Sequence, residues 1–352
     1  MWVYTDAAPV LEEWTALAYR VGTVFSSRPS FVLEVARALN VDCAYIAARR
    51  DGRLVAFGAL ALVRRGPLTI AKVVGTDLGV PLEFLSEDAE ASDAVLDAIA
   101  SHGFMFSAES LIQGDLTASR FRRHPAWCVD VAVRERVAVI EMRRGDTAVD
   151  LRSPKSLKRL RRYRRAEGSF EIEMVSTAEA VESRWDEMVR VARAGVASTD
   201  KVNYLVSPHG GFAKAFLTAE AGAGRLCIAG IVIDGVWVAH EIGLRTGTRI
   251  EGWLTHYDPA FAHVQPGHQL AEWFANHHDE LGVAQLDRGI GVNAIKSAWT
   301  GSGYDVLRVS AVPSRWVVSR LLVTAFARFS PAVACVRRTG RLALVKVGVR
   351  PP

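Results

Sequence analysis

Three side chains that could move a proton or answer a developing charge fall in one late stretch of the sequence: His256, Asp287 and Lys296. A histidine titrates near neutrality and suits a general base. A lysine neutralises phosphate or steadies an oxyanion. An aspartate at the end of a strand sits where open α/β sheets hold ligand groups. Each also has a plain structural role open to it: a hydrogen-bonded histidine, a cap or turn aspartate, a surface lysine. Glu241 and Glu251 precede them on expected central strands. On a regular strand Glu251 and His256 face opposite sides, so one of the two at most would meet a substrate.

These residues need elements to place them. Arg249–Trp299 reads as a strand (Ile250 to Tyr257), a loop with Gln265-Pro266-Gly267, a helix (His268 to Leu281), a short strand (Val283 to Asp287) and a helical turn with Lys296 and Trp299. Proline favours the first position of a helix, and the unpaired amides there attract anions. Gln265, Pro266, Gly267 and His268 would thus face a phosphate. Five histidines (256, 263, 268, 277 and 278) lie here without an HExxH or other recognised ligand spacing, so no metal is expected.

Upstream, Asp51-Gly52 and Asp234-Gly235 each separate two apolar strand-like runs, and the six-position pattern Asp-Gly-x-x-Val-Ala recurs 183 residues apart. Asp-Gly accepts the positive φ angles of a tight hairpin. The repeat points to two copies of one α/β unit. Between the copies, Arg152, Lys155, Lys158, Arg159, Arg161, Arg162, Arg164 and Arg165 crowd into fourteen positions behind Ser153-Pro154, a helix start. So many charges leave little of that helix to bury. It reads as a solvated connector or a phosphate site. Its single aromatic, Tyr163, does not fit base stacking.

The chain has 352 residues, half of them hydrophobic and 23% charged, with net charge +5. This fits a two-domain globular protein and excludes a disordered one. The basic balance suits an anionic ligand or surface without choosing one. Cys43, Cys128, Cys227 and Cys335 are scattered and read as free thiols in a reducing compartment. No signal peptide is visible. The apolar run Trp316 to Val336 is broken by Arg320, Arg328 and Pro331, so the expectation is a cytoplasmic protein whose tail makes at most a peripheral membrane contact.

The second half orders its elements β, α, α, β, β, β, α, β, α, β, as GNAT acyltransferases do. Tyr257-Asp258-Pro259, Phe261-Ala262, Pro266-Gly267-x-x-Leu270, Leu286-Asp287-x-Gly289 and Lys296-x-x-Trp299 resemble the bacterial acetyltransferase family associated with cellulose biosynthesis. That family is similar to the Fem aminoacyltransferases, which pair two GNAT domains. The resemblance implies a mixed α/β fold of two tandem GNAT-like domains: 1–147, a connecting helix at 148–167, a second domain at 168–312 and a helical tail at 313–352. It implies acyl transfer, most simply acetyl, from acyl-CoA to an amine or hydroxyl of a small molecule or glycan precursor, with neither metal nor covalent intermediate. The pantetheine arm would lie where two strands splay, against Leu254 and Thr255, with Gln265, Pro266, Gly267 and His268 at the pyrophosphate. His256, Asp287 and Lys296 would be catalytic. The phosphate turn carries one glycine where the superfamily pattern Q/R-x-x-G-x-G/A has more. Two alternatives stand beside this: a Fem-like transferase using aminoacyl-tRNA, the one case with a nucleic-acid partner, and a non-catalytic GNAT-fold binding module.

Overall fold

A computed structural model of the chain describes residues 2–196, 203–206, 210–316 and 321–325. The first half runs β1 (Trp2–Tyr4), α1 (Leu11–Val21), α2 (Pro29–Leu39), β2 (Cys43–Arg50), β3 (Arg53–Arg65), β4 (Leu68–Val73), β5 (Leu85–Ser86), α3 (Ala89–Ser101), β6 (Met105–Ile112), α4 (Leu116–Phe121) and β7 (Trp127–Glu141). Two connecting helices follow, α5 (Ala148–Leu151) and α6 (Pro154–Ala166). The second half runs β8 (Phe170–Val175), α7 (Ala178–Val196), α8 (Gly210–Gly222), β9 (Leu226–Ile233), β10 (Val236–Thr246), β11 (Arg249–Tyr257), α9 (Pro266–His277), β12 (Gln285–Ile290), α10 (Ala294–Ser297) and β13 (Gly303–Pro313). Both Asp-Gly turns form as the sequence predicts. Asp51 and Gly52 have φ of 52° and 79°, and Asp234 and Gly235 have 49° and 77°, the double positive φ of a type I′ hairpin.

One sheet carries both halves, in the order β1-β2-β3-β4-β6-β13-β7-β12-β11-β10-β9-β8, with β5 paired to β3. The halves exchange their last strands. β13 pairs antiparallel with β6 of the first half, and β7 pairs antiparallel with β12 of the second. Two strand pairs are parallel, β4 with β6 and β11 with β12. Each holds three registers and then parts. In the first half the gap is filled by the chain itself: Leu82 N donates to Ser110 O (2.8 Å), Ile112 N to Leu82 O (2.9 Å), and the Ser110 hydroxyl to Val80 O (2.7 Å). In the second half no described segment enters the gap.

The cores follow from strand alternation. Ile242 and Leu244 of β10 join a cluster that runs through both halves, with Trp14, Phe31, Phe57, Phe106 and Phe216. Ala229 and Val238 turn to the other face, toward Leu270, Phe274 and Leu286. Phe25 and Phe31 of the first half pack on Phe216 and Trp253 of the second, with ring centroids 5.3 to 6.4 Å apart. Arg28 reaches across to Glu220 at 2.5 Å.

α6 starts as expected, with the Ser153 hydroxyl accepting from Ser156 N and Pro154 at the first turn. It buries more than its charge suggests. Leu157 and Leu160 are buried, and Arg164 donates to Gln269 Oε1 (2.9 Å) and Glu272 Oε2 (2.7 Å) of α9. Cys43, Cys128 and Cys227 are free thiols; Cys335 and most of the run from Trp316 lie outside the described residues. No described helix is long and apolar enough to cross a membrane.

Candidate functional site

The open gap begins at Glu251 and Asp287, the last register of the parallel pair β11/β12. Two glycines let the backbones meet there before they part. A Cβ on Gly289, at φ +70°, would stand 2.8 Å from Gly252 O, and one on Gly252 would stand 3.1 Å from Asp287 O. Beyond them β11 bulges: Ile242 faces Leu254, Gly243 faces Gly252, and Trp253 is the extra residue. A bulge of one residue reverses the alternation. It corrects the expectation that Glu251 and His256 face opposite sides. Glu251 accepts from Phe25 N (3.0 Å), and the His256 ring meets His240, whose ring meets Trp237; Phe25 and Trp237 belong to the same core.

On the strand and loop residues around the gap, three buried polar atoms lack hydrogen-bond partners among the described residues: Glu241 Oε2, Trp253 Nε1 and Gln265 Oε1. Glu241 is otherwise held by Arg288, a nearly enclosed ion pair. Orphaned polar atoms are rare inside proteins because each costs about 1–3 kcal/mol. Here they are a donor and two acceptors beside a strand gap, which fits an occupant with both amide hydrogens and carbonyls.

At the mouth of the gap α9 begins. Gln265 caps it in the left-handed region (φ 56°, ψ 59°) without a side-chain cap bond, and Pro266 takes the first turn. The Gly267 amide makes no hydrogen bond among the described residues, and Ile295 of α10 packs beside Gly267, where a Cβ would be 3.4 Å away. His268 Nδ1 meets Arg152 Nη1 at 2.9 Å and accepts from Trp299 Nε1 at 3.0 Å. Burial, with Arg152, Arg159 and Arg288 close by, lowers the His268 pKa to about 4. His268 is therefore a neutral ring among cations. Arg152 lies 5.0 Å from the Trp299 ring centroid and also donates to the Ser156 hydroxyl at 3.2 Å. The residues ahead of and within the basic helix thus place positive charge at the start of α9, the end of a helix that already favours anions.

The catalytic candidates do not converge. Asp287 is buried and saturated: Oδ1 accepts from Gly289 N (2.8 Å) and Oδ2 from the Tyr304 hydroxyl (2.7 Å), with Arg249 at 3.9 Å. Lys296 Nζ donates to three carbonyls, of Gly289 (2.8 Å), Ile290 (3.0 Å) and Gly291 (2.8 Å). It ties the turn after β12 and adds charge near Asp287. His256 lies five residues past Glu251 on β11, roughly 15 Å along the strand. Leu254 is half-buried beside the core and Thr255 is exposed opposite Glu241. Of the five histidines noted in the sequence, His263 meets Glu167, His277 the Trp273 carbonyl, and His278 the carbonyls of Val283 and Asp146. No group of described residues has the makings of a metal site.

Sequence reasoning noted Glu241 as a strand carboxylate and Trp299 in the Lys296-x-x-Trp299 pattern, and missed their partners Arg288 and Arg152. Arg152 stands just before Ser153-Pro154, so its place at the foot of α6 was a signal. Arg288 is the residue between Asp287 and Gly289, both of which the sequence singled out.

Residues 152–297 match the family model described as an acetyltransferase (GNAT) domain. No curated protein matches the chain at a significant level. Among solved structures, FemX superposes with TM-score 0.65 at 10% identity, covering 92% of this chain and 100% of that one. The C-terminal domain of a protein described as a lysylphosphatidylglycerol synthetase, from Agrobacterium fabrum, gives 0.59 at 13% identity, covering 92% and 97%. L-PGS from Bacillus licheniformis gives 0.56 at 12% identity, covering 89% and 95%. The matched model is broader than the cellulose-biosynthesis-associated family that the sequence resembles. Residues 152–297 thus match a GNAT-type acetyltransferase domain, within a chain whose fold is shared along most of its length with these structures.

Proposed function

We propose that the chain transfers an acyl group, acetyl in the simplest case, from acyl-CoA to an amine or hydroxyl of a small-molecule or glycan-precursor acceptor. The observation that carries this is the asymmetry of the two gaps. The one between β4 and β6 is filled by Val80 to Leu82. The one between β11 and β12 is entered by no described segment, Glu241, Trp253 and Gln265 near it carry unpartnered buried polar atoms, and His268 at the start of α9 feels the charges of Arg152, Arg159 and Arg288.

In this reading the pantetheine arm, with its amides and carbonyls, lies along β11 beside Leu254 and Thr255. The diphosphate lies at Gly267 and His268, where the amide end of α9 and the arginines answer its charge. His268, being neutral, does not oppose them with a titrating charge of its own. The acceptor's nitrogen or oxygen lone pair attacks the thioester carbon, the C–S bond breaks, and the acceptor's proton leaves with the thiolate as CoA-SH. Lys296 and Asp287 act by holding the turn and the floor of the gap.

A second reading rests on α6, which exposes Lys155, Lys158, Arg159, Arg161, Arg162 and Arg165 beside this mouth. Such a stripe also fits the backbone of an aminoacyl-tRNA, the donor that the Fem resemblance implies. Calorimetric titration with acetyl-CoA and longer acyl-CoAs separates the two. Saturable binding of any one supports acyl-CoA as donor. Binding of none, with binding of an aminoacyl-tRNA, supports the second reading.

A further inference from the structure

One row of side chains crosses the middle of the sheet, away from the gap between β11 and β12. Lys72 of β4 pairs with Ser107 of β6, Ser107 with Ser310 of β13, and Ser310 with Asp130 of β7. Register partners stand side by side on one face, and across an antiparallel pair their Cβ atoms are about 5 Å apart. Arg308, two residues before Ser310 on β13, belongs to the same face. The residues that alternate with them, Leu307, Val309 and Ala311, turn into the core on the other.

The row is a polar island. To one side Met105 and Val312 cluster with Val323, with Ile70 beside them. To the other Val306 clusters with Val137 and Val139, against Tyr304. Between these apolar groups Ser107 and Ser310 are each 1% exposed, and neither hydroxyl has a hydrogen-bond partner among the described residues. Arg308 Nε is buried and lacks a partner in the same sense, and no described carboxylate pairs with its guanidinium. Unpartnered polar groups inside a protein cost free energy, which an occupant of matching chemistry recovers. Arg308 as a whole, with Asp130 and Ala132 of β7, is partly exposed, so the row opens to solvent on that side.

Charge sorts the occupant. Lys72 is already met by Asp77 at 3.3 Å. That leaves Arg308 as the unmet cation, with the Asp130 carboxylate across from Ser310. Asp130 opposes a second negative charge on a ligand, so a singly charged oxyanion fits better than a dianion.

We propose that Arg308, Ser107 and Ser310 form an oxyanion subsite for a carboxylate or phosphodiester group of the acyl acceptor. Both halves build it. Ser107 comes from the first, and Arg308 and Ser310 come from the last strand of the second, laid beside β6 by the strand exchange. Further along the same face of β13, roughly 13 Å from Arg308, the Tyr304 hydroxyl donates to Asp287 at the floor of the gap. The acceptor therefore carries its anion about that far from its reacting nitrogen or oxygen. The role as acceptor site rests on the acyl-transfer reading above; the oxyanion site itself does not.

The test is a titration of the full chain labelled with ¹⁵N-arginine, following the Arg308 Nε–H signal, which Arg308→Lys assigns by its loss. Sodium acetate and dimethyl phosphate are the probes, one for each source of the charge, with sulfate as the dianion, all at constant ionic strength. One of the two probes should give a saturable shift, which names the group, and sulfate should bind at least about tenfold more weakly. Ser107→Ala combined with Ser310→Ala removes two oxygens and should weaken the better probe by about tenfold or more. The proposal is overturned by no saturation with either probe, by sulfate binding as well as they do, or by a double variant that binds like the unaltered protein. If the double variant does not fold, the first two results still decide. Saturating acetyl-CoA should leave the shift in place. Displacement of the probe by acetyl-CoA would put the subsite in the donor cleft and overturn its assignment to the acceptor. Absence of acetyl-CoA binding would count against the donor reading alone, because the titration is read without it.

Discussion

Glu251 and Asp287 face each other across the last register of β11 and β12, both nearly shut off from water, and the strands part immediately beyond them. Two carboxyl groups so placed cannot both be charged cheaply. Burial first, then the neighbouring Asp287, raises the Glu251 pKa to about 8; burial raises that of Asp287 as well, against the bonds from Tyr304 and Gly289. The native chain therefore keeps a proton on this pair that the unfolded chain releases near pH 4. Because the native state binds more protons in between, stability is full below about pH 4, falls as pH rises, and levels off above about pH 8. One group contributes at most about 1.4 kcal/mol per pH unit. Urea denaturation should show higher stability at pH 6 than at pH 8.5, and Glu251→Gln should flatten that slope. Glu83, also raised by burial, tilts the curve the same way and leaves a residual slope in the variant.

Among the described residues, segments close the β4/β6 gap and none enters the β11/β12 gap, so the chain should bind one acyl-CoA and not two. The β4/β6 gap is closed by backbone bonds from Leu82 to Ser110 and from Ile112 to Leu82, behind buried Val80 and Leu82. Calorimetric stoichiometry checks this, and a value near two per chain would contradict it.

Arg152 joins three groups at the mouth: His268, Ser156 and the Trp299 ring. Arg152→Met should weaken acyl-CoA binding about tenfold, or ~1.4 kcal/mol. Arg152→Lys should restore little, because an ammonium cannot reach His268 and Ser156 at once while lying on the indole. Binding of the unaltered protein should weaken with added salt, and less so in the Met variant.

The floor of the gap depends on backbone approach and on one ammonium. Gly289→Ala places a Cβ against Gly252 O at a positive φ and should cost about 1–3 kcal/mol of stability. Lys296→Met leaves the carbonyls of Gly289, Ile290 and Gly291 without their donor and should cost about 1–2 kcal/mol, the part-exposed turn recovering some of the loss from water. Denaturant midpoints measure both.

Much of this was legible before the fold was known, because it is written locally. The Asp-Gly hairpins, the Ser153-Pro154 helix start and the Pro266 start of α9 each depend on a few adjacent residues. What the sequence hides is set by pairs far apart. The exchange of β7 and β13 joins residues such as Val129 and Ala311, and no local pattern announces it. The filling of the first gap depends on where Leu82 meets Ser110. The bulge at Trp253 follows from the β10 register and not from a residue preference, and it turns His256 to the side of Glu251. The joining of Arg152 to His268 and Trp299 needs α6 laid against α9, which Arg164, Gln269 and Glu272 secure.

The gap between β11 and β12 should hold the acyl donor. A crystal structure with a non-hydrolysable thioether analogue of acetyl-CoA tests it most directly. The predicted result is one analogue per chain, its pantetheine arm between β11 and β12 within hydrogen-bond reach of Glu241 Oε2, Trp253 Nε1 or Gln265 Oε1, and its diphosphate at Gly267 and His268. An analogue seated elsewhere, or a gap that stays empty at saturating concentration, would contradict the claim.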